Sequence, residues 1–155
     1  MKEKIIAAGI LAICPETERF LMLKRAGNLK FPLYWNLPGG SLDDDDKSLK
    51  VTAIREFKEE TGYSKKIKIS KGPLFVDKSN HIDFYTYVGI LSEEFVPELN
   101  IDCLCIPENI DYKWVSLFSA FDDVGKITPN IVNYPPTAEP MGWASGVYSR
   151  TLDAS

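Results

Sequence analysis

The chain has 155 residues, 45% hydrophobic and 26% charged, which is enough for one domain with its own core. A formal net charge of −4 and a pI near 5.1 exclude a general nucleic-acid binder, which needs a basic surface, but leave single nucleotides open as ligands. No apolar stretch is long enough to cross a membrane as a helix, and Cys14, Cys103 and Cys105 lack the paired spacing of a zinc site, so free thiols in a reducing cytoplasm are expected.

Lys2 and Lys4 ahead of an apolar run imitate a signal peptide, yet the run is short and no small-residue cleavage site follows it. Residues 5–13, rich in β-branched and small side chains, read better as a buried strand. Pro15-Glu16-Thr17-Glu18 has turn chemistry, and Phe20-Leu21-Met22-Leu23 reads as the returning strand of a hairpin that ends at Arg25.

Residues 48–60 read as a helix. At about 100° per residue, Glu56, Glu59 and Glu60 share one arc, and Leu49, Ala53, Ile54 and Phe57 form the apolar stripe beside it. Three carboxylates at the margin of a core repel one another, and Arg55, four residues before Glu59, can offset only part of that repulsion. A divalent cation such as Mg²⁺ or Mn²⁺ would offset the rest, because it takes carboxylate oxygens and keeps positions for water and phosphate. A solvated acidic face balanced by Lys50 and Lys58 is the plainer alternative, weakened because Lys58 projects nearly opposite Glu60. The run Asp43-Asp44-Asp45-Asp46 reads first as a solvated loop favouring the positive end of the following helix. It is not an EF-hand: counted from Asp43, the sixth position is Ser48 rather than Gly and the twelfth Ile54 rather than Glu.

Residues 66–76 and 81–91 read as two strands joined by Lys78-Ser79-Asn80, with Lys66 and Lys68 turned to solvent. His81, the single histidine, sits beside Asp83 without a nucleophile near it in sequence and reads as structural. Residues 112–117 are a further strand, and 116–124 read as the start of a short helix. Pro129, Pro135, Pro136 and Pro140 make 125–155 irregular, packed through Ile131, Tyr134 and Trp143. No repeat or second domain interrupts residues 1–155.

The run Arg55-Glu56-Phe57-Lys58-Glu59-Glu60-Thr61-Gly62-Tyr63 resembles the box of the Nudix hydrolases, MutT-like enzymes whose pattern is Gly, five residues, Glu, seven residues, Arg-Glu, an apolar residue, one residue, Glu-Glu, one residue, Gly and an apolar residue. Trp35-Asn36-Leu37-Pro38-Gly39-Gly40 resembles the strand and turn that enter the box. The first half departs from the pattern. Five residues after Gly40 lead to Asp46, which leaves eight before Arg55, while seven before Arg55 lead back to Lys47. No Glu stands in either register, so altered metal coordination is expected, with Asp45 or Asp46 as the substitute ligand.

The resemblance implies an α/β fold, a Nudix-type α/β/α sandwich with a mixed β-sheet and a loop–helix–loop motif, clearest over 5–124. It implies a Mg²⁺-dependent hydrolase, with Mn²⁺ as the other candidate ion, that cleaves a diphosphate linkage in a nucleoside diphosphate derivative. Nucleoside triphosphates lead because the chain is short. Glu56, Glu59 and Glu60 would be metal ligands, Gly40 would add its carbonyl, and Arg55 would orient the glutamates. The proton-accepting carboxylate stays open between a box glutamate (Glu59 or Glu60) and Glu108 on a later loop, which is read equally well as a solvated residue. Arg25 would meet a phosphate or pair with a surface carboxylate. Tyr34 and Tyr85, like Phe84, would stack a base or belong to the core. The partner is a small-molecule nucleotide, with no membrane involved and a homodimer left open. The competing function is a Nudix-fold binding or regulatory module whose irregular box has lost turnover.

Overall fold

The computed structural model describes residues 4–25, 35–78, 80–99 and 109–116. Its centre is strand β1 (Ile5–Cys14), buried on both faces from Ala7 onward and made of residues that suit a doubly covered strand. β1 turns through 15–18 into β2 (Arg19–Arg25), its antiparallel partner at Ile13↔Phe20, as the hairpin reading expects. β3 (Trp35–Asn36) and β4 (Gly39–Ser41) then wedge between the diverging strands: β3 pairs with β2, and β4 pairs with β1 through Ala8↔Gly40 and Gly9↔Gly39. Gly9 is needed here, because a Cβ on it would lie 2.6 Å from the Pro38 carbonyl oxygen and 2.7 Å from Phe84 Cζ.

Helix α1 (Leu49–Thr61) follows the acidic loop and is shifted by one residue from the expected span. Ser48 is its N-cap, accepting from the Val51 N–H at 3.2 Å, and Gly62 ends it in the left-handed region at φ 71°. Its stripe is as expected: Ala53 and Phe57 are fully buried, with Leu49 and Ile54 packed against the core cluster that also holds Ala8, Leu21 and Trp114. Burial of the Phe57 ring contributes about 1.5–3 kcal/mol, and Tyr63 and Phe95 meet it edge-on.

The expected strand over 66–76 is corrected to two short ones. β5 (Lys68–Ile69) and β6 (Phe75–Lys78) both pair antiparallel with β7 (Ile82–Ile90), and residues 71–73 loop out between them while the Ser70 and Leu74 N–H groups still donate to the Val88 and Thr86 carbonyls at 2.9 and 2.7 Å. Pro73 has no N–H to give a ladder, and the Ser70 hydroxyl takes over, donating to the Gly72 carbonyl and accepting from the Val88 N–H. Lys66 and Lys68 are exposed, as expected. β7 runs parallel to β1 over its whole length, which makes the sheet mixed. β8 (Asn109–Ser116) starts earlier than the sequence suggested, extended along β2 by a bulge that sets Arg25 opposite Asn109. The result is an α/β fold with α1 on one face of a sheet that has eight strands among the described residues. Ser116 is strand rather than the start of a helix, and the rest of 117–155, including the irregular tail, lies outside the described residues. Among the described residues, no helix is long and apolar enough to cross a membrane.

Candidate active site

The acidic face of α1 meets the sheet at two glycines. α1 packs on β1 and β4, which brings Glu56 against Gly40 and Glu60 against Gly39. The Gly39 N–H donates to Glu60 Oε2 at 2.8 Å. A Cβ on Gly40 would lie 2.6 Å from each carboxylate oxygen of Glu56, so the missing side chain forms the cradle in which that carboxylate rests.

Arg55 organises the loop side of this face. Its Nε and Nη2 grip Asp46 as a fork, at 3.0 Å to Oδ1 and 2.9 Å to Oδ2, and Nη2 also donates to the Ser41 carbonyl at 3.1 Å. Nη1 then serves two glutamates, Glu56 Oε1 at 3.0 Å and Glu59 Oε2 at 3.2 Å. The Arg55–Glu59 pair expected from the four-residue spacing is present. The hydrogen bond from Arg55, then the one from the Asp43 N–H, holds the Asp46 carboxyl well below the usual carboxylate range against the opposing effect of burial. Asp46 in turn raises the Arg55 guanidinium above its ordinary value.

The glutamates differ in access to water. The side chain of Glu56 is 16% exposed and that of Glu59 58%. Among the described residues, no group of three or more His, Cys, Asp or Glu side chains is gathered around one point, because Arg55 and the Gly39 N–H hold the carboxylates along the helix face. The donor set itself, hard carboxylate oxygens beside a cradle kept open by Gly40, suits Mg²⁺ or Mn²⁺.

Asp46 is not the substitute ligand that the spacing suggested. Four protein donors take its oxygens: Arg55 Nε and Nη2, the Thr52 hydroxyl at 2.8 Å and the Asp43 N–H at 2.9 Å. Asp45 sits exposed on the turn beside it. Arg25 closes β2 opposite Asn109, and Tyr34 and Glu108 lie outside the described residues. Tyr85 is half-buried on the α1 face, in the same cross-strand row as Ala8 and Gly40, where it packs against the core. Phe84 turns to the other face, against Gly9 and Gly39. His81 has a structural part, its carbonyl accepting the Ile5 N–H at 2.9 Å.

Sequence reasoning missed Thr52 and the Ser41 carbonyl, which complete the Arg55 network, although Thr52 lies one helical turn before Arg55 and so on the same side. It also missed Asn36 and Asn109, whose buried Oδ1 atoms have no hydrogen-bond partner among the described residues, on the two strands flanking the end of β2. Such acceptors call for a donor.

A family model described as the NUDIX domain matches residues 3–132. A Bacillus subtilis (strain 168) protein named provisionally as an 8-oxo-dGTP diphosphatase is 38% identical over 85 residues, which cover 52% of this chain and 53% of that protein. The chain covers still less of two other curated relatives, 27% and 21% of their lengths. Among solved structures, a C. elegans Ap4A hydrolase binary complex superposes with a TM-score of 0.65 at 19% identity, over 97% of this chain and 99% of that one. The MutT protein of Methanosarcina mazei Go1 gives 0.56 at 29% identity, over 79% and 85%.

Proposed function

The chain belongs to the NUDIX family, and on that premise we propose that it is a divalent-cation-dependent pyrophosphohydrolase acting on a nucleoside diphosphate derivative, with nucleoside triphosphates as the leading class. The observation that carries this reading is the interlock of α1 with β4, where Glu56 rests in the Gly40 cradle and Glu60 hangs on the Gly39 N–H. A helix that only exposed its charges to water would need neither glycine.

Glu56, Glu59 and Glu60, with the Gly40 carbonyl, are the groups that would hold Mg²⁺ or Mn²⁺. A divalent cation in such a place neutralises charge on phosphate oxygens and makes a water more acidic. The chain's own residues do the rest. Arg55 Nη1 holds Glu56 and Glu59 side by side, and the Gly39 N–H holds Glu60 Oε2 against β4. Glu59, the more exposed and held by one bond at 3.2 Å, takes the proton from the attacking water at its carboxylate; Glu108 is the alternative acceptor. Arg25 meets a phosphate, and Tyr34 and Tyr85 flank the base. The relatives named for 8-oxo-dGTP and Ap4A make nucleoside polyphosphates the first compounds to try.

A binding module without turnover is the competing reading, favoured by carboxylates that are held by protein donors rather than gathered around one point. The two separate on Glu60→Gln. The purified protein is incubated with Mg²⁺ or Mn²⁺ and a panel of nucleoside triphosphates, dinucleoside polyphosphates, nucleotide sugars and ADP-ribose, and the products are resolved by chromatography. Cleavage that falls by about 10³-fold or more in Glu60→Gln is expected. Silence of the native protein across the panel, with Mn²⁺ bound, would leave the binding module.

A further inference from the structure

The acidic loop reaches Arg55 with a carboxylate that is one methylene short and one residue farther away than the family pattern places it. The structure shows how the two departures fit together. The Asp46 N–H donates to the Asp43 carbonyl at 3.0 Å and the Asp43 N–H returns to Asp46 Oδ2 at 2.9 Å, which closes residues 43–46 into a turn with Asp44 and Asp45 exposed at its tip. This turn presents the short Asp46 side chain end-on to the guanidinium. Its carboxylate is only 4% exposed and takes four donors at 2.8–3.0 Å. A glutamate at 46 would add one C–C bond, about 1.5 Å, and would push into Arg55 or Thr52.

What Asp46 does there is geometric. By occupying the Nε and Nη2 edge of Arg55 it fixes the plane of the guanidinium, and Nη1 is then aimed between Glu56 Oε1 and Glu59 Oε2. We propose that Asp46 is a positioning residue acting through Arg55 on Glu56 and Glu59, and that its short side chain and the extra residue before Arg55 are a compensating pair. The inference deepens the metal-dependent reading above and rests on it for the identity of the ligands. It assigns Asp46 no contact with the cation and makes Asp46→Glu a damaging change in this chain.

The test is Mn²⁺ affinity, measured by electron paramagnetic resonance on the full chain, for the native protein, Asp46→Glu, deletion of Lys47, and the two combined. The combination restores Glu at five residues after Gly40 and seven before Arg55. Each single change is expected to weaken Mn²⁺ by about 10–100-fold, and the combination to return within about 3-fold of native, with kcat following affinity and KM steady. Urea midpoints are taken alongside. If a longer or shortened loop unfolds the chain, Asp46→Asn, which keeps the size of the side chain, decides by the same loss of affinity. Native-like Mn²⁺ binding in Asp46→Glu or Asp46→Asn overturns the proposal, as does a combination no better than its parts. A native protein that binds no Mn²⁺ overturns it together with the metal-dependent function. Coupled Mn²⁺ binding with no cleavage of any panel compound keeps this inference and removes only the pyrophosphohydrolase.

Discussion

The loop entering α1 and the sheet edge around β5 are both dense in charge, and they use it differently. At the edge, Lys65 and Glu93 meet at 2.7 Å with side chains 65% and 61% exposed, a pair that water and salt can replace. At the loop, Arg55 and Asp46 meet as a fork with side chains 26% and 4% exposed, and the same guanidinium reaches Ser41, Glu56 and Glu59. An ion pair shapes a site when it is covered and when its donors are shared out among groups that must keep their places. Contact distance alone does not tell the two regions apart.

The sharpest way to break the contrast is Arg55→Lys. A lysine keeps the charge but replaces the planar fork with one ammonium, so it cannot hold Asp46 and aim a second nitrogen at Glu56 and Glu59 together. Turnover is expected to fall by about 100-fold, mostly in kcat, while Lys65→Arg at the edge leaves kcat and KM as they were. Steady-state kinetics on the panel substrate measures both, and equal behaviour of the two variants would erase the distinction.

A smaller effect is expected from Gly40→Ala. The added methyl would displace the Glu56 carboxylate, which is the end of a flexible side chain and can move at little expense to folding. The expected signature is therefore a loss of about 10-fold in kcat with an unchanged urea midpoint. A large loss of stability with full specific activity would show that Gly40 serves backbone packing, as Gly9 does between Pro38 and Phe84.

The same contrast explains what could be read from the sequence. α1, its apolar stripe and the row Glu56, Glu59 and Glu60 follow from helical periodicity, and β1 and β2 from short apolar runs around turn residues. Local pattern carries that information. The target of Asp46 was hidden because it depends on how a turn folds back on the next helix, and four adjacent aspartates look alike until the hydrogen bonds separate Asp46 from the exposed Asp44 and Asp45. The break between β5 and β6 was missed because Gly72-Pro73 was read inside one alternating strand, although proline gives the ladder no N–H. Asn36 and Asn109 carried no signal, since a buried acceptor with no partner among the described residues is defined by what surrounds it.

The finest test of the contrast is in acid. Arg55 holds the folded-state Asp46 well below the usual carboxylate range, whereas an unfolded chain returns it to about 3.9. Because the folded value is the lower one, the stability this carboxylate contributes is fully present above about pH 4. As pH falls below that, the unfolded state takes up a proton that the folded state refuses, and the contribution shrinks until the folded value is passed. Asparagine at 46 does not titrate. The gap in urea midpoint between the native protein and Asp46→Asn should therefore be flat from pH 7 to about 4 and close steadily below it. Lys65 also lowers the Glu93 carboxyl, but both groups lie in water, so the midpoint of Lys65→Ala should track the native protein at every pH. A gap for Asp46→Asn that stays constant down to pH 2 would mean that the loop is held by the shape of its turn and not by the charge on Asp46, which would leave the two regions of the surface on the same footing.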